Sequence, residues 1–461
     1  MSLPALYVSA LAAKTAQSAS GAASGPESFD SVFTDDELDE YDEGGKSFTV
    51  VDQCTPPLLN SPTDVDARHH LRRGRPDKPA KTTDKMRNRI VGFWHNVKYG
   101  SWSVKLKSNF HKKKAIFLLS QCYDIREALE EGEEDKVQFT LIKFKQDFTS
   151  RIWLTYRQGF PCIADTQLSS DTGWGCMIRS GQMMLAQALV VHFLGREWNM
   201  FDDESNSTAL MHREIIRWFA DKPFTNSPFS LHRLVAIGKS VDRKAGQWFG
   251  PAHVATLLEK ASQIAGEFVP LLSQTCVYVA PDCCIYKKDV TDLVYGGSSS
   301  TDSGFSESWR SLIIIVPVRL GADSLNPIYI PCLKGLFTQK SFLGVIGGTP
   351  GHSLYFVGFQ HEKLIVLDPH FVQDAVDTSQ RDFPLQSYHC VYPKKIPFTS
   401  MDPSCALGFY CRTKEDYDTF LDSVQPFLLP PSEEIVYPMF AVTDGSRDDA
   451  FKLGTQCMLT K

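Results

Sequence analysis

The chain has 461 residues, 43% of them hydrophobic, enough for one large globular domain or two smaller ones. Its net charge of −6 argues against general nucleic-acid binding, which needs a dominant basic face. Twelve cysteines are scattered without a C-x-x-C pair or a Cys/His cluster, and the start shows no charged-then-apolar leader. The expectation is a reduced, cytosolic protein without a disulfide framework, a metal or an organic cofactor.

In chain order, residues 1–84 read as a disordered N-terminal regulatory tail. Its acidic block from Glu27 to Glu43 contains no Lys or Arg, and a basic stretch runs from Arg68 to Arg89. Met86, Ile90, Phe93, Trp94 and Val97 recur at helical spacing and predict a first amphipathic helix. Phe144, Phe148, Ile152 and Trp153 predict another within Phe144–Arg157. Cys176–Leu194 carries the best helical pattern, and Met211–Ala220 and His253–Ile264 predict shorter helices. The stretch 195–270 fits a common core least well and reads as an insert.

From about residue 275 the pattern turns to strands: Cys276–Ala280, Leu312–Arg319, Ser353–Gln360, Lys363–Leu367 and Leu407–Cys411. Gly347–Gly351 and Asp368–Pro369 punctuate them. Gly296–Ser308 predicts a mobile surface loop, and 431–461 a flexible C-terminal tail. No apolar run approaches the ~20 residues of a membrane span. Helices first and strands later predict an α+β domain over 85–430, its cysteine helix packed on a sheet.

The chemistry centres on Cys176. The run Ser170-Asp171-Thr172-Gly173-Trp174-Gly175 delivers this cysteine to the start of a long helix. Unpaired N–H groups and a partial positive charge at a helix N-terminus favour the thiolate, which is the nucleophile. The same N–H groups can face the oxyanion of an acyl intermediate. Most cytosolic cysteines are inert core residues, but that reading leaves the Gly-Trp-Gly turn unexplained. Downstream, Leu367-Asp368-Pro369-His370 ends a strand pattern and offers His370 as general base and acid, with Asp368 to orient it. Residues i and i+2 share one face of an extended segment. His352, in the Gly/Pro loop, is the rival histidine.

These residues resemble the autophagins, the cysteine peptidases of the autophagy ubiquitin-like modifier system. The resemblance rests on Asp171–Arg179, Arg151–Arg157, Trp248-Phe249-Gly250-Pro251, Gly347-Gly348-Thr349-Pro350 and Leu367–His370, in family order between about Asp84 and Phe451. Asn96–Gly100 and the long N-terminal tail resemble the C/D subgroup, most closely the D form. The resemblance implies a papain-like core with a small inserted subdomain. It implies cleavage after a glycine near the C-terminus of the modifier (the GABARAP and light-chain-three type), and hydrolysis of the amide joining that glycine to phosphatidylethanolamine at autophagic membranes. By position, Cys176, His370 and Asp368 are the catalytic set, and Tyr156 helps hold the oxyanion. Trp248 would lie over the cleft, and Gly347, Gly348 and Pro350 belong to a covering loop suited to act as a lid. At Thr349 the chain departs from the subgroup, which usually has a Lys there.

Two tail segments, Phe29–Val32 and Phe48–Val51, fit an aromatic-x-x-aliphatic pattern that can add a strand to the modifier's sheet edge, through Phe29, Val32, Phe48 and Val51. Thr63-Asp64-Val65-Asp66 offers a candidate caspase site. Cleavage after Asp66 would expose an N-terminus rich in Arg and Lys that resembles a mitochondrial transit segment. The alternative function is a latent or autoinhibited modifier-binding regulator with little peptidase activity.

Overall fold

The computed structural model describes residues 110, 114–201, 206–296, 308–431 and 437–452. The predicted first helix, Phe29, Val32, Phe48, Val51, Asp66 and most of the Gly296–Ser308 loop lie outside the described residues.

The chain begins with a hairpin, β1 (Ile116–Leu118) and β2 (Gln121–Tyr123). The helices α1 (Arg126–Glu130) and α2 (Glu134–Ser150) follow, then the short strand β3 (Tyr156–Gln158). Four helices come next: α3 (Cys176–Phe193), α4 (Asn206–Trp218), α5 (Leu231–Gly238) and α6 (Pro251–Phe268). The strand-rich part holds β4 (Thr275–Val279), β5 (Cys284–Tyr286), α7 (Lys287–Val294), β6 (Ser311–Arg319), α8 (Ile330–Leu336) and β7 (Phe342–Gly347). It continues through β8 (Leu354–Gln360), β9 (Lys363–Leu367), β10 (Val372–Asp374), β11 (Lys394–Pro397), β12 (Ser404–Cys411), α9 (Lys414–Val424) and β13 (Ala441–Thr443).

The main sheet runs in the order β11-β9-β8-β7-β12-β6-β4, and the β1–β2 hairpin joins the far end of β8. Every pair is antiparallel except β4 with β6. Both faces are covered, so β6 reads as an unbroken apolar run. Strand parity sorts its side chains: Leu312, Ile314, Val316 and Val318 join a core with Val290 of α7, Leu333 of α8 and Phe420 of α9. On β12, Gly408 points the other way, where a Cβ would meet the sulfur of Met184 on α3. Helices α3 and α6 therefore pack on the opposite face, over β7, β8, β12 and β4. Buried from Cys176 to Val190, α3 is the central helix of an α+β fold.

Three expectations need correction. The helix placed at Phe144–Arg157 instead spans Glu134–Ser150, and Arg151 turns extended. The Arg151 guanidinium is held by carbonyl oxygens of Asp147 and Trp198 and by Gln187, and Ile152 bridges His389, so the chain leaves the helix to make these contacts. The stretch 195–270 is not wholly an insert: α6 buries Val254, Leu257, Leu258 and Ala261, and Gly181 of α3 lets Val254 approach closely. Nor is all of 431–461 a flexible tail. Met439 and Phe440 are core residues, Phe440 packs on Phe409 with ring centroids 5.7 Å apart, and β13 pairs parallel to β5. Their apolar side chains are few among polar neighbours, which hid the segment's role.

Candidate active site

The site is assembled where α3 begins. The carbonyl oxygen of Asp171 accepts from the N–H of Trp174 at 3.2 Å and of Gly175 at 2.9 Å, closing the turn before Cys176. Its carboxylate is fully buried: Oδ1 accepts from the Arg157 N–H at 2.7 Å and Oδ2 from Arg179 Nε at 2.7 Å. Asp221 pairs with the same guanidinium at 2.8 Å. One carboxylate thus ties the turn, strand β3 and helix α3 together. No side chain caps α3 at Gly175, which leaves first-turn N–H groups for another acceptor.

Cys176 is the first residue of α3 and has no exposure to solvent. His370 stands across from it, just beyond β9. Its Nδ1–H donates to Asp368 Oδ1 at 2.6 Å, and its main-chain N–H reaches the same oxygen at 3.1 Å. Lys394 Nζ donates to Asp368 Oδ2 at 2.9 Å, and Trp153 Nε1 to the Asp368 carbonyl at 2.7 Å. Parallel pairing of β3 with β10 brings Tyr156 alongside, its N–H donating to the Pro369 carbonyl at 2.9 Å. Its ring meets the His370 ring edge-on, with centroids 5.5 Å apart.

The electrostatics favour an ion pair. Burial would push the Cys176 thiol up, but His370, the N–H and hydroxyl of Ser353, and Tyr156 together bring it down to about 7. Burial would push His370 down, but Asp368 and then Cys176 raise it to about 9. Asp368 is held well below the usual carboxylate range by His370 and Lys394 against its own burial. Tyr156 is pushed above its usual range by burial and by Cys176, so its hydroxyl stays a donor. In the free chain, however, His370 Nε2, Tyr156 Oη and Ser353 Oγ are buried without a hydrogen bond of full geometry. These three groups are left poised for a partner, as donors in substrate-free enzymes often are.

The other expected residues fall as follows. Trp248 is half-buried, its six-membered ring against Gly250 at the start of α6, and its buried Nε1 has no partner. Gly347 closes β7, opposite Leu354 and Cys405, and Pro350 is exposed in the loop after it. Gly348 has φ +141°, and a Cβ there would overlap the His352 carbonyl. The rival His352 is exposed, its ring 6.2 Å from that of His370, while His370 alone of the two bonds to Asp368.

Ser353, Lys394 and the Arg179–Asp221 pair carry no site role in the sequence reading, and Trp153 enters it as part of an apolar helix face. Only Arg179 left a signal there, as a charge inside an apolar helix.

The description "Peptidase C54 catalytic domain" matches residues 141–423. The chain is 40% identical over 413 residues to Cysteine protease ATG4D of Xenopus laevis, covering 81% of this chain and 84% of that protein. It is 37% identical over 429 residues to Cysteine protease ATG4C of Homo sapiens, covering 80% and 92%. With Cysteine protease ATG4b of Arabidopsis thaliana it shares 40% identity over 324 residues, 66% of this chain and 65% of the relative. With a thiol at a helix start, a carboxylate-held imidazole facing it and these relatives over most of its length, the chain belongs to the peptidase C54 family, the autophagins, as a cysteine peptidase of the C/D subgroup most like the D form.

Proposed function

We propose that this cysteine peptidase cleaves after the C-terminal glycine of ubiquitin-like autophagy modifiers of the GABARAP and light-chain-three type, both priming precursors and releasing phosphatidylethanolamine. The observation that carries this reading is the buried Cys176 thiol at the start of α3 together with a His370 imidazole held by Asp368 at 2.6 Å, with the Tyr156 ring edge-on to that imidazole.

Cys176 Sγ attacks the glycine carbonyl. The developing oxyanion takes hydrogen bonds from the Cys176 N–H and the Tyr156 hydroxyl. The His370 imidazolium then gives its Nε2 proton to the departing amine, a peptide N-terminus or the ethanolamine nitrogen. A thioester remains. Water attacks it as His370 takes the water's proton, and Cys176 leaves as thiolate. Asp368 keeps the imidazole in the Nδ1–H tautomer throughout. The closed surroundings of Cys176 favour a residue without a side chain at the cleavage point. Because Cys176 is fully covered, its cover has to move for substrate to enter, and the loop from Gly348 to His352 would act as that lid.

That same coverage favours a second reading, a latent enzyme that binds the modifier and turns over slowly. One comparison separates the two. The intact protein, a version starting at Lys85 and Cys176→Ala each meet a precursor and a phosphatidylethanolamine-linked modifier. Cleavage after glycine that vanishes in Cys176→Ala supports the peptidase reading. Binding without cleavage by any version supports the latent regulator.

A further inference from the structure

Ser353 sits where the loop after Gly347 enters β8. It is fully buried, and its Oγ has no hydrogen-bond partner. The chain around it is apolar: Leu354, Tyr355, Phe356 and Val357 follow. A buried hydroxyl without a partner costs stability that alanine would not. No packing reason for a hydroxyl is visible here, whereas the N–H and hydroxyl of Ser353 act to lower the Cys176 thiol.

The position is rigid. Leu354 pairs with Gly347, and Tyr355 pairs with Ile346 on one side and Leu367 on the other. The Tyr355 hydroxyl is also tied to the Leu343 carbonyl at 2.5 Å. Leu367 leads directly to Asp368 and His370. The strand pair β8–β9 therefore holds Ser353 and His370 at neighbouring strand ends, Ser353 two residues before Tyr355 and His370 three after Leu367, the partner of Tyr355.

We infer that Ser353 is a further catalytic residue, whose main-chain N–H and hydroxyl both donate to Sγ of the Cys176 thiolate. When the thiol ionises, sulfur becomes an anionic acceptor beside a donor that has no other partner. Attack on the substrate carbonyl turns that sulfur into a neutral thioester, a poor acceptor, and the two donors are released without any bond to serine being made or broken. When water resolves the thioester, the returning thiolate regains them. This rests on Cys176 being the nucleophile, as proposed above.

The test uses the full chain as wild type, Ser353→Ala and Ser353→Thr. The rate of Cys176 alkylation by iodoacetamide is followed by peptide mass spectrometry from acidic to alkaline pH, with melting temperatures alongside. No modifier is present, so the substrate assignment does not enter. A wild-type midpoint near that of an ordinary thiol would count against the nucleophile reading itself. With the wild-type midpoint low, Ser353→Ala is expected to raise it by about one pH unit, roughly tenfold less thiolate on the acidic limb. Ser353→Thr restores the hydroxyl and should return the midpoint toward wild type. At a pH well below the thiol midpoint, where Cys176 is protonated and the hydroxyl has no anionic acceptor, Ser353→Ala should melt no lower than wild type, because it then removes an unpaired buried polar group. An unchanged midpoint in Ser353→Ala, or a lower melting temperature with an unchanged midpoint, overturns the inference and leaves Ser353 a packing residue.

Discussion

The Asp171 carboxylate meets the Arg179 guanidinium at 2.7 Å, with side-chain exposures of 0% and 1%. Asp171 lies five residues before the nucleophile and Arg179 three after it, so the pair brackets Cys176. Removing Asp171 leaves the buried Arg179 charge with Asp221, so the lost pairing is only partly compensated. Asp171→Ala is expected to destabilise the fold by about 3 kcal/mol, the low end for a broken buried pair, and to abolish cleavage, because the turn also loses the acceptor for the Arg157 N–H. Urea unfolding measures the first effect. A loss under ~1 kcal/mol would mean that the pair contributes little.

The pH dependence follows from the two groups at the centre. Below about 7 Cys176 takes up a proton and ceases to be a thiolate. Above about 9 His370 loses the proton that the leaving amine needs. The kcat/KM profile should therefore be bell-shaped, flat between these limits, with the two values belonging to the coupled pair. A profile that keeps rising beyond pH 10 contradicts the assignment of His370 as the acid.

Lys394 competes with His370 for Asp368, holding Oδ2 while the imidazole holds Oδ1. Replacing it by Met leaves the whole carboxylate charge to the imidazolium. The alkaline limb of the profile should move upward by a few tenths of a pH unit, since an exposed ammonium acts through water. A downward shift would show that Lys394 instead holds Asp368 in place.

The loop between β7 and β8 contains two glycines with different demands. Gly348 combines φ +141° with a Cβ position that overlaps the His352 carbonyl, whereas Gly351 has φ +80° and open space around it. Gly348→Ala is expected to cost roughly 1–3 kcal/mol or more and to displace His352 and Ser353. Gly351→Ala should cost about 1 kcal/mol through its backbone conformation alone. Thermal melts of both variants, read with kcat/KM, check the order.

Phe440 is buried against Phe409 and lies far beyond the matched catalytic domain. Phe440→Ala should destabilise the domain by about 3–5 kcal/mol, and ending the chain at Pro431 should do at least as much. If either leaves the urea midpoint unchanged, the C-terminal segment is dispensable.

Much of this was legible in the sequence because its signals are local. The helix from Cys176 shows through an unbroken apolar pattern, and β6 through a continuous branched-chain run. Asp368 and His370 share one strand end, so their partnership follows from a spacing of two. Other features need contacts between distant segments. Asp171, Arg179 and Asp221 meet only once β3, α3 and the end of α4 are packed. Ser353 and Lys394 reach Cys176 and Asp368 through strand pairings that no periodicity encodes. The helix ending at Ser150 was misplaced because Ile152 and Trp153 continue the apolar spacing, while the Arg151 contacts decide where the helix stops. The same reason hid the order beyond Tyr437, where two buried side chains and a three-residue strand carry the attachment.

The central claim is that Cys176 is the thiolate that attacks the modifier's terminal glycine. The most direct measurement offers the full chain a modifier whose terminal glycine carries a thiol-reactive electrophile and maps the covalent product by mass spectrometry. The predicted result is a single adduct on Cys176, lost in Cys176→Ala and slowed in His370→Ala. An adduct on another cysteine, or one that survives Cys176→Ala, would contradict it.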